Sequence, residues 1–410
     1  MLANGEPRAS MRSLHQKAAE PNQEPHDGAA GPELDSQAPA PGGTADPPPD
    51  GPGSTQAERR TAPSGSGGGG ASARYSRQVL FQEIGEEGQR RLAASSALIV
   101  GCGALGCAIA EILVRAGVGR LRIVDRDLVE ETNLQRQILF DEADARALMP
   151  KAEAAASKLR AINSLVSVEG IVADLTPDSI ARLVPGFDLI VDGTDNFETR
   201  FLLNDWSVRE SVPWIYGAAV GAYGVTMNVL PGEGPCLTCV FESAPPAGTS
   251  PTCDTAGILA SVAILIASLE ASEAIKLLAG RKDRMSHALT VVDVWEGRFD
   301  RLQVHRRIDP PCPTCVGRSF PHLAGAQMSQ TTTLCGRNSV QVSPVPATRL
   351  DLAGLAERLA AVGTVERNRF LVRTRVEGLE LTVFGDGRAI VSGTKERDRA
   401  RAIYARYVGA

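Results

Sequence analysis

The chain has 410 residues, 43% of them hydrophobic, enough to bury one large core and one small one. A formal charge of -5 argues against a nucleic-acid binder that works through a basic surface. Eight cysteines are too few for a disulfide scaffold at this length, and the N-terminus shows no charged-then-apolar segment, so a cytoplasmic protein is expected.

Residues 1–73 are rich in Pro, Gly, Ala and Ser and end in a glycine run at Gly67–Gly70. Such a segment buries too little apolar surface to offset the entropy of ordering, and a disordered tail is expected. From Arg74 the pattern changes. Ala97–Val100 reads as a buried strand, Ala104–Ala116 as a helix, Gly119–Asp125 as a strand and Lys151–Ile162 as a helix. Strands near 166–172 and 188–192 follow, then a helix from Asn196 to Glu210. This alternation predicts an α/β, doubly wound, mostly parallel sheet over 74–325. The apolar stretch Gly257–Leu278 is interrupted by Glu270, Glu273 and Lys276 and is too short in its clean part to span a bilayer, so it reads as a buried or interface helix. Residues 326–410 are expected to form a small accessory α+β domain. Its helices are placed at Leu350–Val362 and Glu396–Tyr407, its strands at 369–373, 379–384 and 388–391, with a turn at Asp386-Gly387.

Gly101-Cys102-Gly103-Ala104-Leu105-Gly106 lies between the first strand and its helix. The first glycine permits the tight turn, the second lets the backbone approach a phosphate, and the third lets helix and strand pack closely. Asp125 ends the next strand, placed to accept hydrogen bonds from ribose hydroxyls. Cys102 and Cys107 read as small buried apolar residues. The loop by itself leaves a nicotinamide-dependent oxidoreductase and an ATP enzyme both open. Three further clusters favour ATP: Asn133-Leu134-Gln135-Arg136-Gln137, Lys151, and Asp192-Gly193-Thr194-Asp195-Asn196 at a strand's C-terminal end. Adenylyl transfer needs cations against the phosphates and a carboxylate for Mg²⁺, whereas hydride transfer needs neither. Taken singly, Asp195 also reads as a helix N-cap, and Lys151 as a solvated first-turn residue.

Arg74-Tyr75-Ser76-Arg77-Gln78, the glycine loop, Asn133–Gln137, Lys151 and Asp192–Asn196 stand in an order that resembles the ThiF/MoeB adenylating enzymes, over about residues 74–320. The phrases Tyr216-Gly217-Ala218, Gly221–Gly224 and Leu334–Asn338 look most like the Bacillus-type ThiF subgroup. Gly224-Val225 departs from the Gly-Gln frequent in MoeB-like sequences. The resemblance implies ATP-dependent adenylation of the C-terminal Gly-Gly carboxylate of a ThiS- or MoaD-like ubiquitin-like sulfur carrier, for thiamine or molybdopterin synthesis. It implies that Asp195 holds Mg²⁺ and that Arg136 and Lys151 contact the phosphates. Asp125 would bind the ribose, and Gly101, Gly103, Gly106 and Asn133 would belong to the nucleotide-binding set. Arg77 would reach the phosphates of a neighbouring subunit, making the active unit a homodimer. A relative acting on a peptide or tRNA stays open.

Cys236-Leu237-Thr238-Cys239 and Cys312-Pro313-Thr314-Cys315 supply four thiolates, enough for a closed tetrahedral Zn²⁺ site. Cys253 stands apart, just before the apolar helix, and a thiol near a helix N-terminus is activated. The resemblance implies a covalent or sulfur-handling role for it. The alternative is a loop cysteine with no required role. No nucleic-acid or membrane partner is expected.

Overall fold

The computed structural model describes residues 73–243, 256–325, 331–334, 338–343 and 349–408. The expected N-terminal tail and Cys253 lie outside these residues. The strands of the first sheet are β1 (Ser96–Val100), β2 (Arg120–Asp125), β3 (Ser167–Val172), β4 (Leu189–Asp192), β5 (Trp214–Val220), β6 (Tyr223–Val229), β7 (Ala288–Asp293) and β8 (Arg298–Gln303). They lie side by side in the order β3-β2-β1-β4-β5-β6-β7-β8. Pairings from β3 through to β5 are parallel, as the strand–helix alternation predicts. Beyond β5 the sheet continues as an antiparallel arm.

The longer helices of this part are α1 (Gly85–Ala94), α2 (Ala104–Ala116), α3 (Lys151–Ile162), α4 (Phe197–Glu210) and α5 (Ala260–Leu278). Residues 97–100 of β1 and all of β4 are buried, the near-continuous apolar run of a strand covered on both faces. Ile109 and Leu113 of α2 share one core with Ile266 and Ala271 of α5. The charge at Glu270 does not bring α5 to the surface. Glu270 is fully buried, and its carboxylate fills the space left by the missing Cβ of Gly217 in β5. Burial pushes that carboxyl well above its usual range, with the nearby Asp192 carboxylate acting in the same direction. Among the described residues, no helix is long and apolar enough to cross a membrane.

The second sheet is antiparallel, in the order β11-β12-β13-β14-β10-β9. Its strands are β9 (Thr331–Leu334), β10 (Ser339–Val342), β11 (Val365–Arg367), β12 (Leu371–Val376), β13 (Leu379–Phe384) and β14 (Ala389–Ser392). Helices α6 (Leu352–Ala360) and α7 (Arg397–Tyr407) cover it, with Leu355, Leu359 and Ile403 in its core. The strand expected from 369 begins at Leu371. The Asn368 side chain accepts from the backbone N–H of Phe370 (2.8 Å) and Leu371 (3.1 Å), and this local turn delays entry into the ladder. Both sheets belong to one compact unit.

Candidate nucleotide site and cysteine cluster

Strand order reverses between β1 and β4, the crevice where open α/β sheets place ligands. Both strands end there in glycine turns that touch. Gly193 N–H donates to Val100 O at 2.7 Å, and Gly101 N–H donates to Val124 O at 2.8 Å. The three loop glycines differ in what surrounds them. Gly101 has φ +85°, and a Cβ on it would lie 2.6 Å from Gly193 O. A Cβ on Gly106 would run into Gly101 O, much nearer than the 3.0 Å that real Cβ atoms respect. A Cβ on Gly103 would have nothing nearer than 3.9 Å. The open face at Gly103 is where a phosphate can approach the N-terminus of α2.

Asp125 Oδ2 accepts from Cys102 N–H (2.6 Å) and its Oδ1 from Asp127 N–H (2.7 Å), which ties the glycine loop to the end of β2. Each carboxylate oxygen keeps lone-pair capacity for a further donor. Burial pushes the Asp125 carboxyl upward, while the Lys151 charge and those N–H groups work the other way. Lys151 is not a solvated first-turn residue: it is 3% exposed, its Nζ is 3.3 Å from Asp127 Oδ2, and its N–H donates to Asp127 O at 2.9 Å. Asn133 is buried, and its Oδ1 accepts from Glu130 N–H. Arg136 is half-buried, with Nη1 donating to Thr132 O at 2.8 Å.

Asp195 is exposed at the loop after β4, and it is not the cap of α4. Asn196 takes that position, its side chain accepting from Thr199 N–H at 2.8 Å. The Asp195 carboxylate is therefore not spent on the helix. A buried pair that sequence reasoning missed fixes this loop. Asp192 Oδ1 accepts from Thr194 N–H and Oγ1, and Arg200 donates to Asp192 Oδ2 (3.2 Å), Thr194 O (2.6 Å) and Gly217 O (3.0 Å). Nothing at the sequence level singles out Arg200, since its partners come from two strands and a loop.

Arg77 lies elsewhere. Its neighbour Tyr75 accepts from Asn163 Nδ2, just past the C-terminus of α3, and its ring packs against Gly117 at the end of α2. The glycine loop is at the opposite end of α2, about 20 Å away along thirteen residues of helix. Arg77, exposed on the short helix Ser76–Val79, is thus not brought to the site of its own chain.

Residues 75–314 match the ThiF family. The chain belongs to the ThiF family. It is 42% identical over 339 residues to the sulfur carrier protein ThiS adenylyltransferase of Bacillus subtilis, covering 82% of this chain and all of that protein. It is 40% identical over 247 residues to a sulfur carrier protein adenylyltransferase of Thermus thermophilus, covering 59% of this chain and 90% of that one. Among solved structures it is similar to E. coli MccB with ATP, with a TM-score of 0.52, 26% identity, and coverage of 59% of this chain and 74% of MccB. The ThiF/MoeB-type adenylyltransferase expected from the motifs is thereby borne out, and the nicotinamide-dependent alternative is set aside. The family implies ATP and Mg²⁺.

The four paired cysteines of this ThiF-family chain converge, with their sulfurs within 4.8 Å of one another. Cys236 and Cys312 Sγ are 3.7 Å apart, Cys239 and Cys315 3.5 Å, and Cys236 and Cys239 4.0 Å. Sulfurs at the corners of a zinc tetrahedron with 2.3 Å bonds sit about 3.8 Å apart, so the donor set fits that ion. Contact with the Cys236 thiol, and then with Cys315, holds Cys239 far below the usual thiol range. Thr238 and Thr314 hydroxyls meet 3.0 Å apart behind the cluster and join the two Cys-x-x-Cys turns. Cys102 and Cys107 are both buried beneath the glycine loop, their sulfurs 3.8 Å apart.

Proposed function

We propose that this chain adenylates the C-terminal Gly-Gly carboxylate of a ThiS- or MoaD-like ubiquitin-like sulfur carrier, releasing pyrophosphate, in sulfur transfer for thiamine or molybdopterin synthesis. What supports this reading is an open glycine loop after β1 and an exposed aspartate after β4, with the buried Lys151 bonded to the Asp125–Asp127 segment that holds the loop. The carrier's terminal carboxylate is already ionised near neutral pH, so its attack on the α-phosphate of ATP needs no general base. The protein's work is positioning and charge stabilisation. In this reading Asp125 holds the ribose, the loop at Gly101, Gly103 and Gly106 receives the phosphates, and Asn133 belongs to the same nucleotide-binding set. Lys151 and Arg136 offset phosphate charge. Asp195 would hold Mg²⁺, which when bound neutralises charge developing on the pyrophosphate. The four cysteines would hold a structural Zn²⁺.

The place of Arg77 beside the end of α2 remote from the glycine loop favours action in the site of a second copy, hence a homodimer. Cys253 is proposed to act after adenylation, by covalent linkage to the carrier or by handling sulfur. We place the protein in the cytoplasm.

ATP–pyrophosphate exchange, with and without a carrier ending in Gly-Gly, tests the reading. Carrier-dependent exchange that disappears in Asp195→Ala is expected. No exchange with any such carrier refutes it.

A further inference from the structure

The second sheet is not a free appendage, because several of its contacts fall on the segment that follows β2. Leu371 and Phe384 pack on Leu128. Arg388 is buried, held by Asp386 at 2.7 Å and by the Phe384 ring at 4.5 Å, and its Nη1 donates to the backbone carbonyl of Arg126 at 3.3 Å. Gln341, 1% exposed in β10, donates from Nε2 to Asp174 Oδ2 at 2.7 Å. The same oxygen accepts from Arg126 Nη1 at 2.9 Å. Two side chains of the C-terminal module therefore converge on Arg126, one at its carbonyl and one through its side-chain partner.

Arg126 stands between the two residues whose placement the nucleotide needs. Before it is Asp125, bonded to the glycine loop. After it is Asp127, which donates to Asp125 and receives both the backbone N–H and the Nζ of Lys151. Burial works against the Arg126 cation, but Asp174, Asp127 and Asp195 together overcome it and raise its pKa. One continuous set of bonds thus runs from β10 and the turn before β14 to the carboxylate and the lysine of the site.

We propose that the C-terminal module is a working part of the nucleotide site, with Gln341 and Arg388 as positioning residues. They hold the Arg126–Asp127 segment, and through it Asp125 and Lys151, in the geometry that binds ATP. This rests on the reading that the crevice binds ATP. The module's role is to stiffen the outer wall of a site that the first sheet supplies. An interface of Arg369 with Glu153 on α3, 3.6 Å apart and exposed, also crosses between the two parts but does not touch this segment.

The test uses the full chain carrying Gln341→Glu, Arg388→Met or, as a control, Arg369→Ala. Gln341→Glu keeps the side-chain shape and sets a carboxylate against Asp174, so it serves even where Arg388→Met folds poorly. Amide hydrogen exchange without nucleotide is expected to quicken at Asp127 and Lys151 in the first two variants and not in the control. Calorimetric affinity for Mg·ATP is expected to fall about tenfold in the same two, and exchange kinetics to show a raised KM for ATP with kcat changed less. Pairing Gln341→Glu with Asp174→Asn, which restores one donor and one acceptor across the contact, is expected to recover affinity. Looser amides with unchanged ATP affinity overturn the proposal, as does an equal loss in Arg369→Ala. Wild-type protein that binds no ATP overturns the functional reading and this inference with it, while the amide data still report whether the module and the segment are coupled.

Discussion

Gly103→Ala and Gly106→Ala are single-methyl changes three residues apart, and the structure predicts opposite failures. At Gly106 the new methyl meets the carbonyl of Gly101, a backbone atom that cannot swing aside. Overpacking of this kind costs about 3 kcal/mol at the upper end. Alanine's better helix propensity inside α2 returns about 1 kcal/mol. The net loss of about 2 kcal/mol lowers the melting temperature by roughly 3 °C in a protein of this size. At Gly103, the residue preceding α2, the methyl meets only ordinary contacts at 3.9 Å. The weaker N-cap costs about 0.5 kcal/mol, so melting moves by about 1 °C or less. The methyl does stand where a phosphate approaches, and ATP affinity is expected to fall about tenfold or more. Circular-dichroism melts and calorimetric ATP titration of both variants decide the matter. A Gly103→Ala protein that binds ATP like wild type, or a Gly106→Ala protein that melts like wild type, refutes the division of labour assigned to the loop.

Two further outcomes follow from the cluster and from a buried acid. Cys312→Ala, which removes a fully buried sulfur, is expected to reduce bound zinc from one per chain to none by elemental analysis and to cost about 4 kcal/mol. Burial pushes the Asp205 carboxyl from 3.8 to about 6, against the N–H groups of His322 and Leu323 that favour its anion. A raised carboxyl pKa contributes stability below pH 3.8 that is lost as pH rises through about 6, a difference of about 3 kcal/mol. Asp205→Asn lacks this term. Chemical denaturation should show the variant gaining by that amount relative to wild type between pH 4 and pH 7, and parallel pH profiles would sink the assignment.

The parallel half of the first sheet was legible because each of its strands is a short apolar run next to a helix. β1, β2 and β4 fall within a residue of their expected bounds. The antiparallel arm was not legible. All six residues of β8 are exposed, so no burial pattern marks it as a strand, and only the β7 ladder makes it one. In the candidate site, the glycine loop and Lys151 announce themselves by local spacing. Arg200 and Arg126 do not: their roles come from partners such as Gly217, Asp174 and Arg388, which chain order leaves far apart. Asp195 and Asn196 are adjacent and chemically similar, and only the turn held by Arg200 decides that Asn196 becomes the cap.

Cys236 and Cys312 are 76 positions apart, and between them lie α5, β7 and β8. Bringing the ends of so long a loop together costs several kcal/mol of chain entropy, which no pair of thiols offsets before the intervening segments have ordered. A metal held by these four sulfurs would offset that cost, tying the chain beyond β8 back to the segment that follows β6.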